Sequence, residues 1–271
     1  MKKIFSLFLA LVATTCLFAE GGNRVKVGDL YYYLNTYYWD EATQQHVYEN
    51  VASVTYEEYG SAANYAGLTS AVVPEQIIHD GVTYTVTSVE GSAFQNCASL
   101  ASITLPSTLT GIGRSAFYGC SSLSSIVIPE GVTSINYEGF RACSSLASVT
   151  LPSTLTGIDS YAFHGCSSLA SIVIPEGVEG IGWYAFESCS SLASVILPST
   201  LQTIAECAFR DDDALESIVI PEGVISLGGE AFADCDTLAS VTLPSTLKAI
   251  GNSAFYDCYA LKSVVMAEGR R

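Results

Sequence analysis

The sequence has few charged residues, and most of those it has are acidic. Asp and Glu number 27 against 11 Lys and Arg, and charged residues make up 14% of the chain while hydrophobic residues make up 49%. The shortage of positive charge argues against a nucleic-acid partner, because binding to phosphates needs clustered Lys and Arg. The large apolar fraction excludes a disordered acidic chain and predicts one that buries an extensive core.

Long hydrophobic runs are also missing. Lys2 and Lys3 precede an apolar run over 4–12 and small residues up to Ala19, which is typical of a secretory signal peptide. Nothing approaches the roughly 20 consecutive apolar residues that a transmembrane helix needs. We predict a signal peptide over 1–19, no membrane span, and a secreted or cell-surface protein. Removing Lys2 and Lys3 takes its formal charge from −16 to −18.

Catalytic and metal-binding patterns are scarce as well. The 3 histidines are far apart in sequence, and no closely spaced Cys or His pairs suit zinc. The serines have no matching His and Asp for nucleophilic catalysis, and no glycine-rich phosphate loop precedes a helix. We therefore predict that the chain is not an enzyme and has no cofactor and no metal.

What the sequence does contain is a repeat. Phenylalanine recurs every 23 residues, and Ala precedes it in every unit but one. A proline closes a short L-x-x-[IV]-x-[LI] strand in every unit but the last, because proline cannot donate to a continuing ladder. Repetition at this period predicts a solenoid. The repeated phenylalanines are Phe94, Phe117, Phe140, Phe163, Phe186, Phe209, Phe232 and Phe255.

A longer period is superimposed on the first. Pro-Ser-Thr at 106, 152, 198 and 244 alternates with Pro-Glu-Gly at 129, 175 and 221. The duplicated unit is therefore interpreted as 46 residues. The alternation places Glu130, Glu176 and Glu222 on every other coil, which spreads like charges about two ladder spacings, roughly 10 Å, apart.

The repeat also divides the chain into regions. Residues 20–80 lie outside it and contain many tyrosines among turn residues, so we predict a β-rich N-terminal cap. Residues 81–271 are predicted to be a solenoid of eight Phe-centred units. The last unit stops one strand in, at 264–269, which makes this C-terminal edge a candidate surface for self-association.

The units Ala-Phe-x-x-Cys-Ser-Ser-Leu-x-Ser-[Ile/Val]-x-[Leu/Ile]-Pro resemble the BspA-like leucine-rich repeats of bacterial and protist surface proteins, over about 72–269. The resemblance implies a secreted or surface location and no catalytic residues. It also implies adhesion, since some members bind host matrix proteins or aggregate microbes. The expected fold is an α/β solenoid with one short parallel strand per coil and an irregular or short helical convex side.

Seven cysteines share one repeat position, and Asp212 takes the eighth place. Equivalent cysteines cannot all pair, so we expect buried free thiols, although neighbouring coils are close enough for disulfides. A buried carboxylate is costly, so we expect the turn at Asp212 to open to water or rearrange. Cys207 lies outside this column, and its role stays open. The ladder of Asp211, Asp234 and Asp257 is interpreted as a solvated acidic edge or, alternatively, a calcium site.

Two surfaces are candidate binding sites. One is the uncharged outer face of the strands, represented by Ser148, Thr150, Ser171, Val173, Ser194 and Ile196. The other is a group of aromatic residues that the core does not require, Tyr137, Tyr161, Trp183 and Tyr184. Such residues are typical anchors of interfaces. We predict an adhesin-like module for extracellular or host matrix proteins or microbial surfaces, with a glycan-binding module or a self-associating structural array as alternatives.

Overall fold

The computed structural model describes residues 24–35, 38–40, 45–47, 50–56 and 65–267, and the predicted signal peptide lies outside these ranges. All regular structure in them is β-strand. The first eight strands are β1 (Arg24–Val27), β2 (Leu30–Asn35), β3 (Tyr38–Asp40), β4 (Gln45–Val47), β5 (Val51–Thr55), β6 (Ser70–Val72), β7 (Gln76–His79) and β8 (Val82–Val89).

The repeats contribute strands of two lengths. Those of three or four residues are β9 (Ser102–Thr104), β11 (Ser125–Val127), β13 (Ser148–Thr150), β15 (Ser171–Val173), β17 (Ser194–Ile196), β19 (Ser217–Val219), β21 (Ser240–Leu243) and β23 (Ser263–Met266). Those of two residues are β10 (Gly111–Ile112), β12 (Ser134–Ile135), β14 (Gly157–Ile158), β16 (Gly180–Ile181), β18 (Thr203–Ile204), β20 (Ser226–Leu227) and β22 (Ala249–Ile250).

The N-terminal region forms a mixed sheet that leads into the solenoid. Its strand order is β1, β2, β5, β8 and β10, with β7 also paired to β8. Strands β1, β2 and β5 are antiparallel, whereas β8 lies parallel to both β5 and β10. Strand β8 therefore belongs to this sheet and to the first coil at once. The predicted boundary at residue 80 falls in the turn between β7 and β8.

Each coil has three sides. On one side, called the front sheet, the longer strands pair in parallel in three groups, which are β6 with β9, β11 and β13, then β15 with β17, and then β19 with β21 and β23. On another side, called the back sheet, the two-residue strands from β12 to β22 form one parallel sheet, whereas β10 pairs with β8. The third side, here called the turn edge, surrounds the repeated phenylalanine. Leu123, Ile126, Ile128, Val132 and Ile135 all point inward and are buried, as the repeat pattern predicts.

The turn edge contains no helix in any coil that the structure describes, so the expected α/β class and the short helical alternative for the convex side are not supported, and the molecule is a β-solenoid. Two residues of each turn edge have positive φ, for example Tyr161 at 61° and Gly165 at 73°. A right-handed helix cannot include them. The Phe163 N–H instead donates to the Ala185 carbonyl of the next coil at 2.7 Å, while the His164 N–H donates to the Tyr161 carbonyl at 3.3 Å.

The repeated phenylalanines form one stacked column through the solenoid. Neighbouring rings lie 5.2–5.6 Å apart between centroids, and their planes agree within 8°. Parallel coils about 4.8 Å apart bring equivalent side chains into this register. Burial of each ring contributes roughly 1.5–3 kcal/mol before the loss of entropy is counted, so stacking of neighbours stabilises the fold.

The repeated cysteines are free, which confirms the prediction of free thiols. All are buried except Cys258, which is partly exposed. Their thiols also act as hydrogen-bond donors: the Cys143 Sγ donates to the Phe117 carbonyl at 3.1 Å, and equivalent bonds recur along the column. Each thiol therefore links its coil to the one before it, besides filling space.

The turn at Asp212 was predicted to open to water or to rearrange, and it does neither. The side chain is fully buried in the cysteine column. One carboxyl oxygen, Oδ1, accepts a 2.9 Å bond from the Cys189 N–H, while Oδ2 has no hydrogen-bond partner among the described residues. Burial raises the pKa of this carboxyl well above its usual value. A charged carboxylate at this buried position would favour opening of the turn to water. The raised pKa favours the neutral, protonated form of Asp212, which can stay buried.

Candidate functional site

The first candidate surface is the outer face of the front sheet. Parallel pairing places Ser171 beside Ser194 and Val173 beside Ile196. Ser148 and Thr150 occupy the same positions on β13 and are also exposed. This face is flat and uncharged, with Val173 59% exposed. Branched residues there also favour the strand conformation itself, so the face has no feature that requires a ligand.

The second candidate surface lies on the turn edge, where three of the predicted aromatic residues meet. The ring of Tyr161 stacks on that of Tyr184 at 4.8 Å and 11°, and it contacts Tyr137 edge-on at 5.6 Å. The solenoid therefore brings residues 23 or 24 positions apart into one row. Trp183 is not part of this row; it is 61% exposed and is one of the residues that line a depression beside the back sheet.

Two arginines extend this row, and the aromatic pattern alone did not identify them. The Arg114 guanidinium lies 4.0 Å from the centroid of Tyr137, and that of Arg141 lies 5.2 Å from Tyr161. Both are cation–π contacts. We call Arg114, Tyr137, Arg141, Tyr161 and Tyr184 the aromatic edge. The sequence did contain a signal for these arginines. Arg114, Arg141 and Arg210 are the only Lys or Arg between residues 27 and 247, and all three lie on the turn edge.

Acidic residues hold two of these arginines. Glu138 forms an ion pair with Arg141 within the same turn. Arg210 binds Glu230 of the following coil at 3.1 Å and Asp234 at 3.2 Å. Arg114 has no ion pair among the described residues, and its side chain is exposed. Its guanidinium is thus positioned by Tyr137 while its N–H groups face solvent, which suits a carboxylate from a partner.

His164 and Cys207 border the aromatic edge but are poor candidates for chemistry. Burial, with the nearby Arg141 charge, lowers the pKa of His164 to about 4, so the imidazole is neutral near pH 7. The Cys207 thiol is buried, and desolvation raises its pKa. The same Cys207 side chain raises the pKa of the neighbouring Tyr184 to about 12. A thiol with a raised pKa is a weak nucleophile near neutral pH.

The backbone holds two of the three tyrosines of this row in an uncommon conformation. Tyr161 and Tyr184 have φ values of 61° and 57°. A bulky residue in the left-handed region costs free energy, roughly 1–2 kcal/mol. Smaller residues occupy the same position in other coils, for example Ser92 and Ser253. Neither tyrosine is therefore needed for the turn, which supports a role for their side chains at the surface.

The acidic ladder has a conformational explanation. Asp211, Asp234 and Asp257 also have positive φ, between 52° and 59°. Of the other five coils, three place Asn96, Gly119 or Gly165 there, residue types that tolerate the left-handed region, and two place Ala142 or Ser188. Within the part of the chain that the structure describes, no cluster of three or more His, Cys, Asp or Glu could hold a metal ion. No helix that could cross a membrane occurs among those residues either.

The repeats and the fold of this chain are similar to those of known leucine-rich repeat proteins. The model of the BspA-type leucine-rich repeat region matches residues 87–215 and 208–270, with 6 copies. A leucine-rich repeat protein from Bacteroides ovatus is 27% identical, with a TM-score of 0.59 over 89% of this chain and 70% of that chain. The T. pallidum leucine-rich repeat protein is 29% identical, with a TM-score of 0.55 over 83% of this chain and 87% of that chain. No curated protein matches the chain.

Proposed function

This chain belongs to the family of BspA-type leucine-rich repeat proteins, and on that basis we propose that it is an adhesin-like module that binds extracellular or host matrix proteins, or microbial surfaces, through the aromatic edge. The signal-peptide pattern of residues 1–19 supports a secreted or cell-surface location. Members of one repeat family share a scaffold, whereas residues at variable positions select the partner.

The aromatic edge is the observation that carries this proposal. Its tyrosines are half-buried, so stacking already restricts their rotamers before a partner arrives. A pre-ordered aromatic row loses little side-chain entropy on binding. Arg114 adds positive charge on a protein with a formal net charge of −16. A partner surface that combines acidic side chains with apolar area matches this combination.

The test is a binding assay with the purified chain 20–271 and a panel of immobilised matrix proteins and microbial cells. Tyr161→Asn and Tyr184→Asn remove the rings while keeping a residue that tolerates positive φ, so the turns should still fold. Arg114→Gln removes the exposed charge. We expect the three changes together to weaken saturable binding by at least about 100-fold, because hot-spot residues contribute about 2 kcal/mol or more each.

A matched control is available on the same side of the solenoid. Tyr256 stands directly after Phe255, at the position of Tyr118 or Arg141, and is 59% exposed. Tyr256→Ser should leave binding unchanged. Equal binding by the triple variant and the native chain would refute the proposal. Light scattering over a wide concentration range should come first, because self-association through the exposed side chains of β23 is the competing explanation for apparent avidity.

A further inference from the structure

We propose that Trp183 and the bare floor of the back sheet beside it bind one neutral pyranose unit of a glycan. This site is separate from the aromatic edge. It occupies a shallow depression of about 380 Å³, whose lining includes Trp183, Gly157, Gly180, Thr203, Asp159 and Ser160. Small-molecule sites usually start at about 300 Å³. The depression is therefore large enough for a single sugar ring.

The indole of Trp183 is the first observation that supports this site. Trp183 is 61% exposed. Its side chain makes no hydrogen bond and no ring contact with any of the described residues, whereas Tyr137, Tyr161 and Tyr184 all stack. Only its backbone is engaged, through the N–H that donates to Ser160 Oγ and the carbonyl that accepts from Tyr161 N–H. An unpaired indole at the surface offers both a flat apolar face and a free N–H donor.

The floor of the depression is the second observation. Gly157 and Gly180 begin β14 and β16, and their strand neighbours Ile158 and Ile181 are buried, so both glycines face outward. A Cβ at Gly157 would meet nothing within 4 Å, and its φ is not in the left-handed region. At this position the other coils carry Gly111, Ser134, Gly180, Thr203, Ser226 and Ala249, so larger residues than glycine are accepted there. The backbone does not require glycine at position 157. Because Gly157 has no side chain, the floor of the depression stays open.

Gly182 provides the contrast. A Cβ there would lie 2.5 Å from the backbone of Asp159 and Ser160, so glycine is needed for the close approach of neighbouring coils. Gly182 is therefore required by packing, whereas Gly157 is not. Gly157 repeats Gly111, which lies in the same nine-residue sequence of an earlier coil. Beside Trp183, however, the missing side chain at 157 leaves room for a ligand that rests on the strand.

The rim of the depression indicates which ligand chemistry would fit. A pyranose has a face of C–H groups that packs on an aromatic ring, and an equatorial belt of hydroxyls that needs hydrogen-bond partners. Ser160, Thr203 and the exposed Asp159 supply such groups around Trp183. The lining contains one carboxyl group and no Lys, Arg or His. Acidic sugars would therefore be repelled, and a neutral hexose or N-acetylhexosamine fits the charge.

The test uses Trp183 as its own reporter. Trp39 is the other tryptophan of the chain, so a Trp39→Phe variant leaves Trp183 as the single indole. Methyl glycosides of glucose, galactose and N-acetylglucosamine, and cellobiose, lactose and chitobiose, are titrated while tryptophan fluorescence is recorded. Saturation-transfer NMR on the native chain provides a second measurement that does not depend on the Trp39 change.

Two variants and one control decide the outcome. Gly157→Thr places a side chain on the floor at a position where an added Cβ meets no atom within 4 Å, and it should weaken binding at least about tenfold, as should Trp183→Ala. Gly111→Thr adds the same side chain at the equivalent position of an earlier coil, where a Cβ makes only an ordinary 3.7 Å contact, and should leave binding unchanged. Absence of saturable binding to every sugar in both measurements, or full binding by Gly157→Thr, would overturn the proposal. The Tyr161→Asn and Tyr184→Asn changes should not affect sugar binding, which separates this result from the adhesin test.

Discussion

At the scale of single residues, Asp212 shows how one substitution in a repeat can be tolerated at a cost. It stands where seven other coils have cysteine, and it replaces a thiol that donates to a carbonyl by a carboxyl group with one unpartnered oxygen. Because the coils on both sides hold the backbone in place, the turn keeps its shape and the carboxyl changes its protonation instead. The fold is thus preserved, but the free energy of unfolding is lowered at pH values above the pKa of the unfolded carboxyl.

We expect Asp212→Cys to raise the free energy of unfolding by about 1–3 kcal/mol at pH 7. The raised pKa means that the folded state keeps a proton that the unfolded chain, with a pKa near 3.9, has already lost. The native chain therefore loses stability as pH rises from about 4 toward the folded-state pKa. The gain from the substitution should shrink toward pH 4, and urea unfolding at the two pH values measures it.

Asp236→Asn is the matched control for this prediction, because Asp236 is exposed and lies in the next coil. It should change stability little at either pH. A gain for Asp212→Cys that is the same at pH 4 and pH 7 would contradict the protonated carboxyl, and would point to improved packing alone.

At the scale of elements, the sequence predicted the front strands well and the turn edge poorly. Leu123, Ile126 and Ile128 define a strand by their alternation and a terminal proline, and both signals are local. The turn edge was expected to be irregular or helical because single-coil propensities cannot show bonds between coils. A local signal did exist, since Asn, Gly and Asp dominate the position two after Phe, and these residues favour positive φ. That position was interpreted as an acidic ladder, and its conformational meaning was missed.

The 46-residue period also has a structural cause that charge spacing alone did not suggest. Glu130 accepts two bonds from Ser153 of the next coil, from N–H at 3.0 Å and from Oγ at 2.9 Å. The pairs Glu176–Ser199 and Glu222–Ser245 repeat this arrangement. These bonds lower the pKa of each Glu carboxyl. The Pro-Glu-Gly coil and the Pro-Ser-Thr coil that follows it are therefore bonded as a pair.

Deletions of different length can test this pairing. Removing 142–164 deletes one coil and brings Glu130 beside Glu176, whereas removing 142–187 deletes two coils and keeps Glu130 next to a Pro-Ser-Thr coil. A carboxylate with a lowered folded-state pKa contributes stability above an unfolded-state pKa of about 4.3, and that contribution is lost as pH falls. Both deletions keep two Glu–Ser pairs, but in the one-coil deletion Glu130 faces Glu176 instead of a serine, so its carboxylate is repelled by its neighbour and gains no hydrogen bonds. We therefore expect the thermal midpoint to rise less between pH 4 and pH 7 for the one-coil deletion than for the two-coil deletion.

The two-coil deletion acts as the control because it loses more packing yet keeps the alternation. The two-coil deletion also lacks Glu176, Glu179 and Glu187, so each deletion is compared with and without Glu130→Gln, which isolates the contribution of Glu130. If Glu130→Gln changes the rise between pH 4 and pH 7 equally in both deletions, the bond from Glu130 to a serine does not contribute to the pairing of coils.

At the scale of the whole molecule, the candidate sites arise from stacking, which sequence reasoning captures only in part. The aromatic residues were identified as unnecessary for the core, but their division into a stacked row and a separate Trp183 depends on side-chain directions in neighbouring coils. Arg114 and Arg141 join the row only because a residue of one coil contacts a ring in the next. The sequence pattern of a single unit cannot show such contacts between coils. Alignment of the units does show, however, that Arg114, Arg141 and Arg210 all lie on the turn edge.

The same one-dimensional architecture predicts unequal local stability along the solenoid. Each coil packs only on its neighbours. At the N-terminal side the Phe94 ring is covered by Tyr65, at 5.2 Å between centroids, so the first coil is closed by the cap. At the other side Ile250 and Val264 are both 49% exposed, although equivalent residues such as Ile181 and Ile172 are only 2% exposed. The last described coil therefore buries much less apolar surface than a central one.

Hydrogen exchange measured by mass spectrometry or NMR checks this difference. We expect the amides of β22 and β23 to exchange fastest among the repeat strands, and those of β14 to β17 slowest, because local opening of the last coil costs less free energy. The strands next to the cap, β9 and β10, should resemble the central ones. Lys262 N–H, which donates to the Ala239 carbonyl at 3.0 Å, is a useful marker of the last coil. Uniform protection from β9 to β23 would mean that the solenoid opens only as a whole, and would exclude the nearest-neighbour description of its stability.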